Sequence, residues 1–262
     1  MEKLVIIPTY NEKENIAHIL SAIFLLNKDY HVMVIDDNSP DGTAGVVKEL
    51  METYPQKLFI EERREKSGLG TAYIHGFNRA IEKGYEYIFE MDADFSHNPG
   101  DLEKLYSACK YNGADLSVGS RYVPGGQIEN WPLDRHLYSK GGAIYTRIIT
   151  WMPVKDPTAG FVCYKRNVLE SINLDEIKFI GYAFQIEMKF AAWKLGFKIE
   201  EVPIVFVDRK IGVSKMSKHI LKEGVLGVLK IQWRSIFTDY IHTIRAKKRN
   251  SSFTERAMAK EN

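Results

Sequence analysis

The stretch LVIIPTYNEKENIAHILSAIFLLNKDYHVMVIDDNSPDGT, residues 4–43, holds the pattern from which the rest of the chain is read. Residues 4–7 are a short apolar run stopped by Pro8, and residues 31–35 are a second. Between them, residues 15–26 repeat apolar side chains at helical spacing. Short unbroken apolar runs suit strands covered on both faces, and strands alternating with amphipathic helices make a parallel sheet. The alternation continues outward. Residues 58–60, 87–91 and 116–118 are further strand candidates, and residues 43–53, 70–83 and 101–112 are helix candidates. The expected fold class is α/β: a Rossmann-like, mostly parallel sheet flanked by helices.

Such sheets bind ligands beyond the carboxyl ends of their strands, and the polar residues fall there. The first strand ends in Pro8-Thr9-Tyr10-Asn11-Glu12, the second in Asp36-Asp37-Asn38-Ser39 and the fourth in Asp92-Ala93-Asp94. Three polar clusters from distant sequence are thus expected on one sheet edge. Residues two apart in an extended chain point the same way, so Asp92 and Asp94 can address one cation. Their oxygens suit hard divalent ions such as Mg2+ or Mn2+, which complete their shells with phosphate oxygens. Alone, an Asp-x-Asp at a strand end is more often a cap; the companion clusters favour the metal. In the second cluster Asp41 and Thr43 are read as shaping a turn, with Asp37 facing a nucleotide.

Other nucleotide motifs are excluded. Gly68-Leu69-Gly70-Thr71-Ala72 lacks the third glycine of a dinucleotide fingerprint and follows the third strand, and no Gly-Lys-Ser/Thr P-loop exists. Over residues 119–157 the alternation fails. Gly, Pro, Arg and aromatic residues crowd residues 121–135, which read as an active-site loop. Regularity returns at residues 160–164, with a helix near 183–195, a strand over 198–207 and a last helical stretch over 217–245. Arg121, Arg135, Arg209 and Lys215 lie in loop-like or Gly-rich contexts, and the planar guanidinium fork matches phosphate oxygens.

The motifs PTYNE (residues 8–12), IDDNSPDGT (35–43) and MDADFSHNP (91–99) resemble those of the family 2 glycosyltransferases of GT-A fold. A closer resemblance, to the polyprenol- and dolichol-phosphate mannosyltransferases, rests on GSRY (119–122), ENWPLDR (129–135), DPTAGF (156–161) and DRKIGVSK (208–215). The resemblance implies inverting transfer of mannose from GDP-mannose to a polyprenyl or dolichyl phosphate. A polyprenyl-phosphate glucosyltransferase or another family 2 sugar transfer is the alternative. By the same resemblance Pro8, Tyr10, Glu12, Ile35 and Asp37 line the nucleoside pocket, and Asp92 and Ala93 contact nucleotide or ribose. Asp94 becomes the main protein ligand of the metal, joined by Ser96 where some relatives carry Gln. Arg121, Arg209 and Lys215 hold phosphate oxygens of donor or acceptor, while Arg135 and Ser139 receive the acceptor phosphate. Asp94, Arg121 and Arg135 are the residues expected to carry catalysis.

A phosphate monoester acceptor has a second pKa of about 6, so at pH 7 the nucleophile arrives already ionised. No His or Glu is therefore expected as an obligatory base, and His97 reads as structural. Charge points to the setting. The chain carries a net +2, yet residues 215–262 hold eleven Lys or Arg against four Asp or Glu, a net of +7, which leaves −5 on the rest. Apolar residues from Ile220 to Ile244 recur near helical spacing among these cations. They suit either an anionic membrane surface or packing on the domain. The expected division is residues 1–215 for the GT-A domain, 216–246 for an amphipathic, membrane-proximal helical segment and 247–262 for a basic, disordered tail. No run of about 18 apolar residues suggests a bilayer span. Cys109 and Cys163 fit neither a metal spacing nor a disulfide framework, and no signal-peptide pattern is read at Met1. The expected location is the cytoplasmic face of a membrane, peripherally bound, with no nucleic-acid partner.

Overall fold

In the computed structural model, which describes residues 1–26, 28–208 and 218–237, the first apolar run is a strand, β1 (Lys3–Thr9), whose side chains divide between two layers. Val5 and Ile7 pack with Ile16, Ile19 and Leu20 of α1 (Lys13–Leu25), while Leu4 and Ile6 pack with Tyr73 and Phe77 of α3 (Leu69–Glu82). The second strand, β2 (Tyr30–Asp36), divides in the same way, Val32 and Val34 against Met33 and Ile35. This two-sided burial is why neither strand alternates apolar with polar. Each fully buried aliphatic side chain contributes about 1.5–3 kcal/mol by leaving water.

The chain continues through α2 (Thr43–Thr53), β3 (Leu58–Glu62), β4 (Tyr87–Glu90), α4 (Leu102–Lys110), β5 (Leu116–Ser120), β6 (Gln127–Glu129) and α5 (Leu133–Thr150). Then come β7 (Val162–Lys165), α6 (Arg166–Ser171), α7 (Tyr182–Lys194), β8 (Ile199–Pro203), β9 (Val205–Val207) and α8 (Lys218–Phe237). The main sheet has the order β3-β2-β1-β4-β7-β5-β8. Every pairing in it is parallel except those of β7, which runs against both β4 and β5. Two antiparallel steps restore direction, so β5 ends on the same edge as β1, β2 and β4. The loop entering β7 lies on that edge as well.

Three regions depart from the sequence reading. The regularity read at residues 160–164 is a strand, and it is antiparallel, because β7 returns between two parallel strands. The single strand expected over residues 198–207 is two. It breaks at Ile204, whose N–H donates to the Ser120 carbonyl, and β9 then leaves the main sheet to pair with β6. The irregular stretch expected over residues 119–157 contains an 18-residue helix, α5. Its buried positions are Ala143, Thr146 and Thr150, while Leu133, Leu137, Tyr138, Ile144 and Ile148 face outward. A helix with small or polar residues inside and large apolar ones outside gives no core-facing stripe to read. In α8, Val228 and Ile231 are buried with Met152, Val154, Ile186 and Phe190, whereas Val225, Leu226, Leu229 and Trp233 are exposed. The expectations for residues 238–262, the tail among them, lie outside the described residues.

Close contact between α3 and the sheet depends on glycine. A Cβ on Gly76 would stand 2.7 Å from Ile6 Cγ2 and 3.0 Å from Ile6 Cδ1. Gly76→Ala is therefore expected to cost about 1–3 kcal/mol through overpacking. Gly45 in α2 has no atom within 4 Å of the same position, so Gly45→Ala should stabilise by about 0.5–1 kcal/mol. Urea unfolding of both variants measures the pair, and equal shifts would contradict the packing described here.

Candidate active site

The site is built where four strands end. In β1, Pro8 is paired with β2 only, because the β4 ladder stops at Ile6 and Glu90; the missing N–H of proline falls where the neighbouring strand has ended. Past β2 the two aspartates separate in role. Asp36 builds the turn, accepting hydrogen bonds from Thr9 Oγ1 at 2.8 Å, Ser39 Oγ at 2.6 Å and the Ser39 N–H at 2.9 Å. Asp41 accepts from the N–H and hydroxyl of Thr43 and from the Lys13 N–H, the turn-shaping role expected of it. Asp37 is buried, and Arg63 Nε donates to its Oδ1 at 2.6 Å. Arg63 NH1 reaches Thr71 Oγ1 at 2.8 Å, so one guanidinium clamps Asp37 to the start of α3. Arg63 was not among the residues singled out from sequence; its signal is a basic residue closing β3 beside an acidic strand end.

Tyr10 and Glu12 lie on the same edge, both half-buried. Lys66 Nζ sits 3.9 Å from the Tyr10 ring centroid, and Glu12 accepts from Asn15 Nδ2 at 2.9 Å. The Ile35 side chain is fully buried in the core layer with Leu4, Ile6 and Met33 and does not reach the edge. The Ile35 backbone alone is available to a ligand, and the side chain of Ala93, expected to contact nucleotide or ribose, is likewise buried, in the core layer of Ile7 and Phe89.

After β4 the chain makes a tight turn. Phe95 has φ of 60°, a left-handed value that costs a bulky residue on the order of 1–2 kcal/mol. The turn sets the Ser96 N–H 3.0 Å from Asp94 Oδ1 and leaves Asp94 and Ser96 buried, with Asp92 half-exposed. The Val207 N–H of β9 closes the turn on the Ser96 carbonyl at 3.2 Å. The donor set here is oxygen: two carboxylates and a hydroxyl. Among the described residues, no three His, Cys, Asp or Glu side chains are grouped to enclose an ion. That arrangement fits a hard divalent ion sharing its shell with phosphate and water, and does not fit a closed structural cage.

Beneath the turn lies a buried polar chain. Gln185 Nε2 donates to Glu90 Oε2 at 2.7 Å, and Lys189 Nζ donates to Gln185 Oε1 at 3.1 Å and to the Ala159 carbonyl at 2.6 Å. Burial pushes the Glu90 carboxyl up and the Lys189 ammonium down, while their mutual attraction opposes both shifts. The chain ties α7 to the loop of residues 156–161, whose Gly160 lies next to Asp92.

That loop governs the basic half. Asp156 is fully buried and holds Arg121 by both oxygens, Nε to Oδ2 and NH2 to Oδ1, each at 2.7 Å. Arg121 NH2 also reaches Thr158 Oγ1 at 3.1 Å. Asp156 is itself set by Glu201, which accepts its N–H at 2.9 Å. Arg135 on α5 pairs with Asp208 at 2.7 Å, and Tyr122 OH donates to Ser139 Oγ at 2.7 Å. Arg121, Arg135 and Ser139 therefore gather beside one another. Arg209 and Lys215 lie outside the described residues. His97 stands between the halves: buried, stacked on Phe161 at 4.9 Å, with the charges of Asp94 and Arg121 acting on it in opposite senses. Burial dominates and brings its imidazole down to about 4, so at pH 7 it is neutral.

A mostly parallel sheet that presents acidic strand ends next to a basic cradle on one edge is the architecture of a GT-A glycosyltransferase. The chain belongs to glycosyl transferase family 2, whose family model matches residues 4–172. Among curated relatives it is 44% identical to polyprenol monophosphomannose synthase of Mycolicibacterium smegmatis over 225 residues, 86% of this chain and 84% of that one. It is 43% identical to undecaprenyl-phosphate mannosyltransferase of Micrococcus luteus over 230 residues, 88% of this chain and 93% of that one. It is 40% identical to dolichol-phosphate mannosyltransferase of Pyrococcus furiosus over 237 residues, 88% of this chain but 64% of the longer relative. Solved structures agree in fold. Glucosyl-3-phosphoglycerate synthase from Mycobacterium tuberculosis, solved with Mn2+ and UDP, superposes with a TM-score of 0.66 at 15% identity, covering 88% of this chain and 79% of that one. A mannosyltransferase from Pyrobaculum calidifontis, solved with GDP-Man and Mn2+, gives 0.56 at 19% identity, covering 94% and 68%.

Proposed function

We propose that this glycosyltransferase moves mannose from GDP-mannose to the phosphate of a polyprenyl or dolichyl lipid, with inversion, at the cytoplasmic face of a membrane. The observation that carries the reading is the division of one sheet edge into an acidic half, Asp37, Asp92 and Asp94, and a basic half, Arg121 and Arg135 with Ser139. A sugar nucleotide and a phosphate acceptor need those two halves side by side. The names of the curated relatives support mannose and a polyprenyl phosphate.

In this reading Pro8, Tyr10, Glu12, Asp37 and the backbone of Ile35 take the nucleoside, and Asp92 and Ala93 take the ribose side. Asp94, with Ser96 beside it, would hold Mg2+ or Mn2+, which when bound neutralises charge on the departing diphosphate. Arg121, held in one orientation because its Nε and NH2 donate to Asp156, turns its remaining N–H groups to phosphate, so little reorganisation is needed at reaction. Arg135 and Ser139 receive the acceptor phosphate, and Arg209 and Lys215 complete the anion contacts. Direct attack by that phosphate on the sugar carbon, opposite the departing diphosphate, gives inversion. A dianionic acceptor needs no base, and a buried, neutral His97 accords with that.

A lipid-borne phosphate must arrive from a bilayer. The helix that carries Arg135 and Ser139 exposes Leu133, Leu137, Tyr138, Ile144 and Ile148, followed by Trp151. Neighbouring α8 exposes Val225, Leu226, Leu229 and Trp233. These two apolar rows flank the acceptor half and support peripheral docking there, with α5 sharing a role the sequence reading gave to residues 216–246 alone. No described helix is long and apolar enough to cross a membrane. The test is a donor panel. Purified protein is given polyprenyl phosphate with radiolabelled GDP-mannose, UDP-glucose or UDP-N-acetylglucosamine, and label is counted in the lipid phase. Mannose from GDP-mannose is the expected product; preferential labelling from UDP-glucose would replace it with the glucosyl alternative.

A further inference from the structure

We infer that Trp131 is a positioning residue that holds Arg121 and Arg135 together as one anion cradle and couples that cradle to the Asp94 turn. The Arg135 guanidinium carbon lies 4.2 Å from the Trp131 ring centroid, and that of Arg121 lies 5.4 Å from it. The two arginines come from different elements, one following β5 and one in α5, and their like charges repel. Each has its own carboxylate, Asp156 or Asp208, but those carboxylates do not hold the arginines to each other. The indole ring spans the two, because its quadrupole attracts both cations and tryptophan has the strongest such ring; Phe206 and Tyr122 add contacts to Arg121, at 5.3 and 5.4 Å. The Trp131 N–H is buried and has no hydrogen-bond acceptor among the described residues. The contacts that Trp131 makes here are those of its ring.

The ring also reaches across to the donor half. It meets Phe206 of β9 edge-on, with centroids 5.4 Å apart, and Phe206 meets His97 at 5.4 Å. His97 directly follows Ser96, whose carbonyl is held by Val207, the neighbour of Phe206. An unbroken aromatic series, Trp131–Phe206–His97, thus runs from the two arginines to the turn that presents Asp94. A rigid series of this kind fixes the separation of the two reacting phosphates, on which in-line transfer depends.

This inference rests on the acceptor reading above, and its test separates the two. Trp131→Phe, Trp131→Leu and Phe206→Leu are assayed with GDP-mannose and a short-chain prenyl phosphate, with donor dissociation measured by calorimetry. Loss of two cation–π contacts predicts an acceptor KM at least roughly tenfold higher in Trp131→Leu. Donor affinity should stay within about twofold. Trp131→Phe keeps a ring face without the N–H and should restore most of the loss. Phe206→Leu removes one ring contact to Arg121 and breaks the series, so it should lower kcat with a smaller rise in acceptor KM than Trp131→Leu. Should Trp131→Leu fold too poorly to assay, Trp131→Met replaces it, retaining volume without a π face. An unchanged acceptor KM, an equal loss in the Phe and Leu variants, or an equal loss of donor and acceptor binding would overturn the inference. If the wild type ignores prenyl phosphate but a different acceptor shows the same split, the acceptor reading falls and the role of Trp131 stands.

Discussion

Asp94→Ala should abolish glycolipid formation, lowering turnover on the order of a thousandfold or more, because several kcal/mol of charge stabilisation is lost with one carboxylate. The backbone around Asp94 is built to present it. Phe95 adopts a left-handed conformation, the Ser96 N–H fixes one carboxylate oxygen, and β9 closes the turn from outside. Asp94→Asn keeps the shape and removes the charge, so it should be nearly as severe. His97→Ala is the contrast. It removes a buried ring stacked on Phe161 and should cost roughly 3 kcal/mol of stability, as other large-to-small core changes do. The folded fraction should still turn over, with kcat lowered about as far as in Phe206→Leu because the same aromatic series is broken, and far above Asp94→Ala. Steady-state rates, corrected for folded protein by near-ultraviolet circular dichroism, compare the two. An inactive His97→Ala beside an active Asp94→Ala would reverse the assignment.

The second large effect is expected at the pair of Arg121 and Asp156. Asp156 has no solvent exposure, and its arginine is nearly as enclosed. Removing one member leaves a buried charge without compensation, so Asp156→Ala should lose about 3–5 kcal/mol of stability. It should also lower kcat/KM, since the guanidinium is no longer held in one orientation for phosphate. Arg121→Lys retains charge but cannot make two parallel bonds to one carboxylate, so it should fail to restore activity. Denaturant titration and kcat/KM on the same preparations separate folding from chemistry. An Asp156→Ala protein as stable as the parent would show that the pair does not hold the loop of residues 156–161.

Much of this was legible because the decisive features are local. The apolar run and polar end of β1 and β2 are contiguous, and α2 occupies residues 43–53, as its periodicity indicates. The acidic pair follows its strand directly. What escaped depends on partners distant in sequence. Strand direction leaves no mark in an apolar run, so the reversal of β7 is invisible until β4 and β5 are seen on either side of it. The break at Ile204 lies inside EVPIVFV, where β8 and β9 read as one strand although they join different sheets. Helix α5 turns its large apolar residues outward, which inverts the usual signal. Arg63 and Lys189 resemble ordinary surface cations in sequence; their importance comes from Asp37 and from Glu90, which other strands deliver.

The central claim is a cation-assisted transfer of mannose to an anionic lipid, organised by Asp94 opposite a pair of arginines. It is tested most directly by stripping divalent ions from the purified protein with a chelator and following label from GDP-mannose into polyprenyl phosphate. Lipid-phase label should vanish, return on adding Mg2+ or Mn2+, and fail to return in Asp94→Ala. Undiminished transfer by the metal-free protein would contradict the account.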